Sequence, residues 1–593
     1  MFFTLHFLLF ITLLLTRFVG LDWGAPYAMH PDEWNIARSL QQLTCALPSS
    51  AFDFQLWQEC LNPHFYAYGQ VTIYLGRLLV EMSRLYTGVI GDVQLSEAIL
   101  ALRALSAAAS TAAVLLGVQI ARAFSNSAKQ HEKARSMKWL PQVVFISLIF
   151  SPALIQSAHF GTTESMLLLT YTSLCYTCIL FVKKSISFLC YGVSAGLLVG
   201  FGAAVKVSSL VFALPCALIM VWWFARQAHA KNKSESLQAL TRSFLQVVVI
   251  AIFSATGLFV LLSPHNVIHF ADFTGSLDYE SAVALGQLRV FYTQAFDGVG
   301  VWFPFTHIFP FALGSVVWLL AVGGFLLLSW RNKSINVLRV FLAIYIFTAG
   351  LTHTQWTRFY APVFPLLIIM ASITICTIWN KFASHKSQTL SLLVLRATCL
   401  VLFIFMILPG LAYMYIYTQE DVRFTASSWM HQNIPPRSHV LSETANVINL
   451  PISPPDAAPQ HVYFEVVPFD FYHVDEDEII AMALRGEIAS ADYIVVPSRR
   501  LFANYTCERP DAPLPKQAYN SDHCKKLRTQ YPILNNYYRT LFDGSLGYAQ
   551  VTRFERYPTI TLFGTTVLSI PDEYAEETMS VFDHPVIRIY KRT

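Results

Sequence analysis

An all-α polytopic membrane bundle carrying a C-terminal α/β domain outside the cytoplasm is the architecture this sequence predicts. Three observations lead there. Only 13% of the 593 residues are charged and 54% are hydrophobic, whereas a soluble globular domain carries roughly 25% charge. Apolar stretches of membrane-spanning length recur through the first 417 residues. The charge also divides: residues 1–417 hold 25 basic and 15 acidic side chains, and residues 418–593 hold 16 and 22. A soluble multidomain enzyme, a disordered chain and a nucleic-acid-coating protein are thereby excluded. The boundaries that follow are a transmembrane domain at 1–417, with a first external loop at 21–97, and a soluble domain at 418–593 of ordinary domain size.

A spanning helix needs about 20 mostly apolar residues. Eleven stretches qualify: 1–20, 98–121, 140–157, 163–182, 186–204, 207–225, 241–262, 305–328, 336–352, 361–379 and 390–417. The first lacks a basic leader and a small-x-small site before Asp22, so it reads as an uncleaved span rather than a signal peptide. Residues 66–90 are a twelfth candidate, but Arg77, Glu81 and Arg84 share one helical face. Charges at the bilayer centre are costly, so this segment is expected to lie in the interface as an amphipathic helix.

Loop charges agree with that choice. With the N-terminus inside, the cytoplasmic connections are 122–139, 183–185, 226–240, 329–335 and 380–389. They carry a strong Lys/Arg excess, opposed only by Glu132 and Glu235, as the positive-inside rule requires. Counting 66–90 as a span would invert everything after it. Cysteines fit the same sidedness: Cys45, Cys60, Cys507 and Cys524 fall outside, and the other six of the ten lie in spans. Two local external disulfides are expected. Cys175 and Cys178 sit mid-span with no second pair, which is not a metal-site pattern.

The tail alternates α and β. Ala426–Gln432 reads as a helix ended by Asn433-Ile434-Pro435-Pro436. His439–Ser442, Val462–Val467, Tyr493–Val496, Thr559–Phe563 and Val586–Tyr590 read as strands. Asp475–Glu478 reads as a helix start, and four prolines mark 451–459 as a loop. No internal repeat, P-loop, Rossmann glycine pattern or zinc spacing is present.

Unusual polar residues gather on the predicted outer side. His30-Pro31-Asp32-Glu33-Trp34 follows the first span, where proline and two acids suit the first turn of a helix. Ser157-Ala158-His159-Phe160-Gly161-Thr162-Thr163-Glu164-Ser165 is an outer turn between spans. Lys206 stands between two apolar stretches, and Arg358 is the sole charge of Thr352–Pro362. The loop 263–304 adds His265, His269, Asp272, Asp278, Glu280 and Arg289. Taken singly, each reads more readily as structural. Together, two acidic and two cationic sites on one face of one bundle match what transfer from an anionic lipid-borne donor needs, a base for the acceptor and cations for a departing phosphate.

These residues resemble a known family. The His-Pro-Asp-Glu after the first span, the Phe-Gly-Thr-Thr-Glu-Ser turn, Lys206–Pro215, Arg358–Pro365 and Ala426–Val440 are similar to motifs of the GT-C glycosyltransferases. That class uses lipid-carrier donors and includes protein O-mannosyltransferases and the aminoarabinose transferase of lipid A. The resemblance implies that Asp32 is the general base, that Glu33 orients the acceptor, and that Glu164 is the second external carboxylate. It also implies that Lys206 and Arg358 hold the carrier phosphate, with His30, His159 and Tyr360 touching substrate. Any metal, Mg or Mn, would sit on Asp32 and Glu33; no cofactor is otherwise called for. Two departures stand out: position 164 is Glu where many members have Asp, and Phe359 stands where an Arg-Tyr pair is common.

The reaction so implied is an inverting transfer of a hexosyl or pentosyl group from a polyprenyl or dolichyl phosphate to a glycan, lipid or protein acceptor. Its setting would be the plasma membrane or endoplasmic reticulum, in contact with the bilayer and with no nucleic acid. A transporter, or a sensory scaffold with an external ligand-binding domain, is the competing class, because charges inside a bundle also mark solute pathways. Asn504-Tyr505-Thr506 is a glycosylation sequon on the predicted outside.

Overall fold

A computed structural model describes residues 2–44, 58–128, 137–229, 234–383, 390–444, 448–453, 463–511 and 520–593. Cys45, parts of the basic connections 122–139, 226–240 and 380–389, and most of the proline-rich 451–459 lie outside these residues.

Among the described residues, eight helices are long and apolar enough to cross a membrane, and two bent helix pairs bring the number to ten. A shorter apolar helix, His6–Phe18, occupies the first expected span. The chain is a multi-pass integral membrane protein. Two expected spans are corrected. Residues 140–157 form two helices, Leu140–Ile149 and Pro152–His159, bent by 52°. Pro152 has no N–H to bond the carbonyl of Leu148. The buried Arg17 guanidinium donates to the Leu148 and Ile149 carbonyls instead, at 2.9 and 3.1 Å. Residues 305–328 are likewise no straight crossing, because Pro304–Ala312 and Ser315–Leu327 meet at 115°. Gly314 makes that turn at φ +84°, a left-handed conformation that favours glycine.

The helix Leu95–Ala128 organises the site. Its 34 residues extend about 51 Å at ~1.5 Å per residue, well beyond a hydrocarbon core of about 30 Å. Against its N-terminal part pack two helices of the first loop, Pro31–Gln41 and Val71–Thr87. The second of these is the segment expected in the interface. Its Arg84 is satisfied by Glu97 at 2.7 Å, and its Arg77 by Glu81 at 2.7 Å. Elsewhere Phe188–Val205 packs closely on Ser234–Leu262. A Cβ at Gly196 or Gly200 would stand 2.3 Å from a backbone oxygen of the facing helix, the close approach that small residues permit in membranes.

The stretch 263–304 is not a plain loop. It contains the helices His265–Ile268 and Phe270–Ala284 and a 3-10 turn at Phe291–Phe296.

The tail is an α/β domain. Its strands are β1 (His439–Thr444), β2 (Glu465–Asp470), β3 (Tyr493–Val496), β4 (Tyr548–Phe554), β5 (Thr559–Leu562), β6 (Thr565–Ser569) and β7 (Ile587–Arg592). The main sheet has the order β2-β1-β3-β7-β4. Strands β2, β1 and β3 run parallel, and β7 pairs antiparallel with both β3 and β4. β5 and β6 form a separate hairpin. Strand β2 begins at Glu465, the expected start at Val462 lying outside the described residues, and its Pro468 is accommodated because β2 is an edge. The acidic run 475–478 is split between two helices. Asp477 caps Glu478–Ser490, while the Asp475 carboxylate accepts from the Ile533 and Leu534 amides at the start of Pro532–Phe542. Cys507 and Cys524 form the expected disulfide. Cys60 is also disulfide-bonded.

Candidate active site

Proline at the first position and the His30 ring at the cap fix the start of Pro31–Gln41, His30 Nδ1 accepting from the Asp32 amide at 3.1 Å. Asp32 thereby faces a cavity of ≈ 520 Å³ whose walls include Tyr68, Glu164, Lys206 and Arg358. Arg358 donates to the Asp32 carboxylate. Burial by itself would raise the Asp32 carboxyl, but Arg358, His30 and Lys206, with a Tyr68 hydrogen bond, bring it down to about 2. Lys206 breaks the helical run between two apolar stretches with an extended backbone, φ −158° and ψ 124°. Its ammonium lies 4.6 Å from the Tyr68 ring centre and 5.6 Å from that of Phe359. Glu164 opens the helix Glu164–Val182 and is buried. Four residues singled out in the sequence, Asp32, Glu164, Lys206 and Arg358, therefore share one cavity.

Glu33 does not join them. It is 0% exposed, and both its carboxylate oxygens are held by Arg103, at 2.7 and 2.8 Å. One of those oxygens also accepts the Gly161 amide at 2.7 Å. A Cβ at Gly161 would stand 2.9 Å from that same oxygen, so glycine is what lets the turn approach Glu33. Arg103 further donates to the Leu21 and Trp23 carbonyls and lies over the Trp23 ring. Glu33 is thus the buried anchor that clamps the Asp32 helix to the bundle, not an acceptor ligand. The Asp32–Glu33 metal pair does not fit either, since the two carboxylates serve different partners. Among the described residues no cluster of three or more metal-ligating side chains occurs.

The remaining expected contacts are also redistributed. His159 is fully buried, with its ring nitrogens against the Ile155 and Val19 carbonyls and its face stacked on Tyr417 at 3.7 Å. That places it in packing rather than on substrate. The Tyr360 hydroxyl donates to Gln355. The Tyr360 ring lines a different, apolar cavity of ≈ 490 Å³, together with Trp318, Phe325, Leu342 and Ile346. His30 packs against Phe160 and Phe582 and borders a small void shared with Glu164 and Arg358. The sequon asparagine is sealed: Asn504 is 1% exposed, accepts from the Ala295 amide and donates to the Arg500 carbonyl. Its amide is therefore closed to modification in the folded chain.

Sequence reasoning did not single out Tyr68, Arg500 or Glu577, which line the cavity too. Glu280 also lines it, from the helix Phe270–Ala284, with its carboxyl pushed up by burial. No local pattern marks Arg500 or Glu577, which the tail folds in from 77 residues apart.

The site and the bundle define a polar, charge-lined cavity at one end of a membrane domain, covered by an α/β domain. No family model and no curated protein matches the chain. Among solved structures it is similar to ArnT from Cupriavidus metallidurans in the apo state. The identity is 13%, covering 74% of this chain and 81% of that one, at a TM-score of 0.43. The same protein bound to undecaprenyl phosphate aligns at 11% identity over 75% and 82%, with a TM-score of 0.41. The Saccharomyces cerevisiae protein O-mannosyltransferase Pmt1-Pmt2 complex bound to the sugar donor aligns at 14% identity over 45% and 33%, with a TM-score of 0.31.

Proposed function

We propose that the protein transfers a glycosyl group from a polyprenyl-phosphate-linked donor to an acceptor hydroxyl or amine, with inversion at the anomeric carbon. The observation that carries the reading is the joint placement of Asp32, Lys206 and Arg358 in one cavity. The apolar cavity supports it. Ile346, Phe347 and Gly350 line the apolar space, and Tyr345 and Thr348, from the same helix Lys333–Gly350, line the polar one. An isoprenyl chain in the first would bring its phosphate toward the cations of the second.

Asp32 takes the proton from the acceptor as the acceptor oxygen or nitrogen bonds to the anomeric carbon. The C1–O bond breaks and its electron pair leaves on polyprenyl phosphate. A positioned general base contributes about 10²–10⁴-fold. Lys206 meets the leaving phosphate as a point charge, and Arg358 can meet it with two parallel N–H donors. In the resting chain Arg358 is paired with Asp32, so Asp32 is a weak base until a phosphate competes for that guanidinium. Glu164 offers a second carboxylate near Lys206 for holding the acceptor. The group transferred is a hexosyl or pentosyl group on a polyprenyl or dolichyl phosphate carrier at the non-cytoplasmic face.

The test is radiolabelled sugar transfer from crude polyprenyl-phosphate donor in vesicles, run beside solute uptake by the same vesicles. Transfer that disappears in Asp32→Asn supports the reading. Uptake without transfer, or transfer that survives the substitution at near-normal rate, contradicts it.

A further inference from the structure

The soluble domain sends two charged side chains into the cavity that holds Asp32. Arg500, from the short helix Arg499–Phe502, and Glu577, from Glu577–Ser580, line it with Tyr292, Trp356 and Phe582. Arg500 is 6% exposed; its Nη1 donates to Glu577 Oε1 at 3.2 Å, while its Nε is buried without a partner. A buried N–H left without an acceptor is costly, so its persistence at a cavity wall points to a ligand atom that completes it. The guanidinium carbon lies 5.8 Å from the Tyr292 ring centre and 5.3 Å from that of Phe582, which places flat apolar faces beside the pair.

The pair itself selects the ligand. An anion drawn to Arg500 meets Glu577, and a cation drawn to Glu577 meets Arg500. A hydroxyl both donates and accepts, so neighbouring hydroxyls on a neutral ring satisfy both side chains, while the ring's C–H face lies on an aromatic wall.

We infer that Arg500 and Glu577 form a subsite for a neutral glycosyl ring, supplied to the membrane cavity by the soluble domain. The inference rests on the proposed glycosyl transfer and names the chemistry that this end of the cavity recognises. The ring belongs either to the donor or to a sugar acceptor, and the two sources separate experimentally.

The test uses the full chain in nanodiscs. Its probes are bare polyprenyl phosphate and polyprenyl phosphates bearing mannose, glucose, galactose or arabinose. A second arm adds methyl glycosides of the same sugars over bound bare carrier. Wild type is expected to prefer at least one sugar probe by about 10-fold, the worth of one hydrogen bond to a charged group. Arg500→Met and Glu577→Gln are each expected to lose that preference, with bare-carrier affinity changed by less than about 3-fold, which shows that both variants fold. Loss in the first arm assigns the ring to the donor, and loss in the second assigns it to the acceptor. Variants that keep the wild-type preference, or a wild type that discriminates in neither arm, overturn the subsite. A wild type that fails to bind bare polyprenyl phosphate contradicts the transfer reading instead, and that result is visible before any variant is made.

Discussion

At the scale of residues, two adjacent carboxylates have opposite lives. Asp32 looks into the cavity with Arg358, while Glu33 is sealed with Arg103. Removing one member of a buried ion pair strands the other charge and costs about 3–5 kcal/mol. Glu33→Gln is therefore expected to lower the unfolding temperature sharply, measured on the purified chain in detergent; unchanged stability would return Glu33 to a substrate-binding role. Asp32 makes a prediction about pH. With its carboxyl held at about 2 in the free chain, the ionised form persists to strongly acidic pH. A bound phosphate that claims Arg358 removes the largest stabilising charge, and the carboxyl rises. The acid limb of kcat should then lie at higher pH than that of kcat/KM, since kcat reports the bound state and kcat/KM the free one. Coincident limbs would show that donor binding leaves the pair intact. In the tail, Glu443 is fully buried, with Tyr537 and Tyr538 donating to its two oxygens at 3.0 Å. Burial pushes its carboxyl from 4.5 up to about 8. A folded-state value above the unfolded one means that the native chain holds the extra proton. The contribution of Glu443 to stability is therefore greatest below about 4.5 and falls as pH rises to about 8. Glu443→Gln should flatten that decline and raise thermal stability at pH 8 by a few kcal/mol.

At the scale of elements, apolar runs made most spans readable. Leu390–Tyr417 begins and ends where hydropathy alone places it, and Tyr493–Val496 is bounded as its residues suggest. The 115° turn at Gly314 was not readable, because a bent pair and a straight span share one apolar composition. β4 escaped for a related reason: only Tyr548 in it is buried, so it shows no alternation. The candidate site was legible at Lys206, which stands between two apolar stretches, at Arg358, the sole charge of its outer loop, and at Asp32, one of two acids in the first turn of a helix after the first span. It was not legible at Arg500 and Glu577, whose charge looks ordinary in an acidic, water-facing domain. Gly161 links element to site. A Cβ there would meet Leu102 Cβ at 2.8 Å and the Glu33 oxygen at 2.9 Å. Gly161→Ala should cost about 1–3 kcal/mol through overpacking, read as a lower denaturation midpoint. An unchanged midpoint would mean that this turn does not clamp the Asp32 helix.

At the scale of the whole molecule, the tail is locked to the bundle beside the site. Asp583 accepts from Tyr413, Tyr417 and Gln156 of the bundle, at 2.9, 2.7 and 3.2 Å. His584 sits between Asp572 and Asp583. Burial would lower the His584 imidazole, but the two carboxylates raise it to about 10, so the charged pairing stabilises the folded tail fully below the ordinary value of 6.5 and that contribution is lost as pH rises from there to about 10. Glu576 accepts the Thr357 amide, one residue before Arg358. The covering domain and Arg358 are thus mechanically joined. Asp583→Ala takes the acceptor from the buried Tyr417 hydroxyl and leaves Tyr413 only the Met579 carbonyl at 3.3 Å, and limited proteolysis should release the tail faster while the bundle stays intact; wild-type protection would contradict the lock.

In the proposed transfer Asp32 is the base, and Arg358 and Lys206 answer to the carrier phosphate. The most direct measurement compares wild type with Asp32→Asn in proteoliposomes, reading carrier binding and single-turnover glycosyl transfer on the same sample. Transfer reduced by about 10²-fold or more, with polyprenyl phosphate still bound, is the result predicted. Transfer within about 3-fold of wild type under the same binding would contradict it.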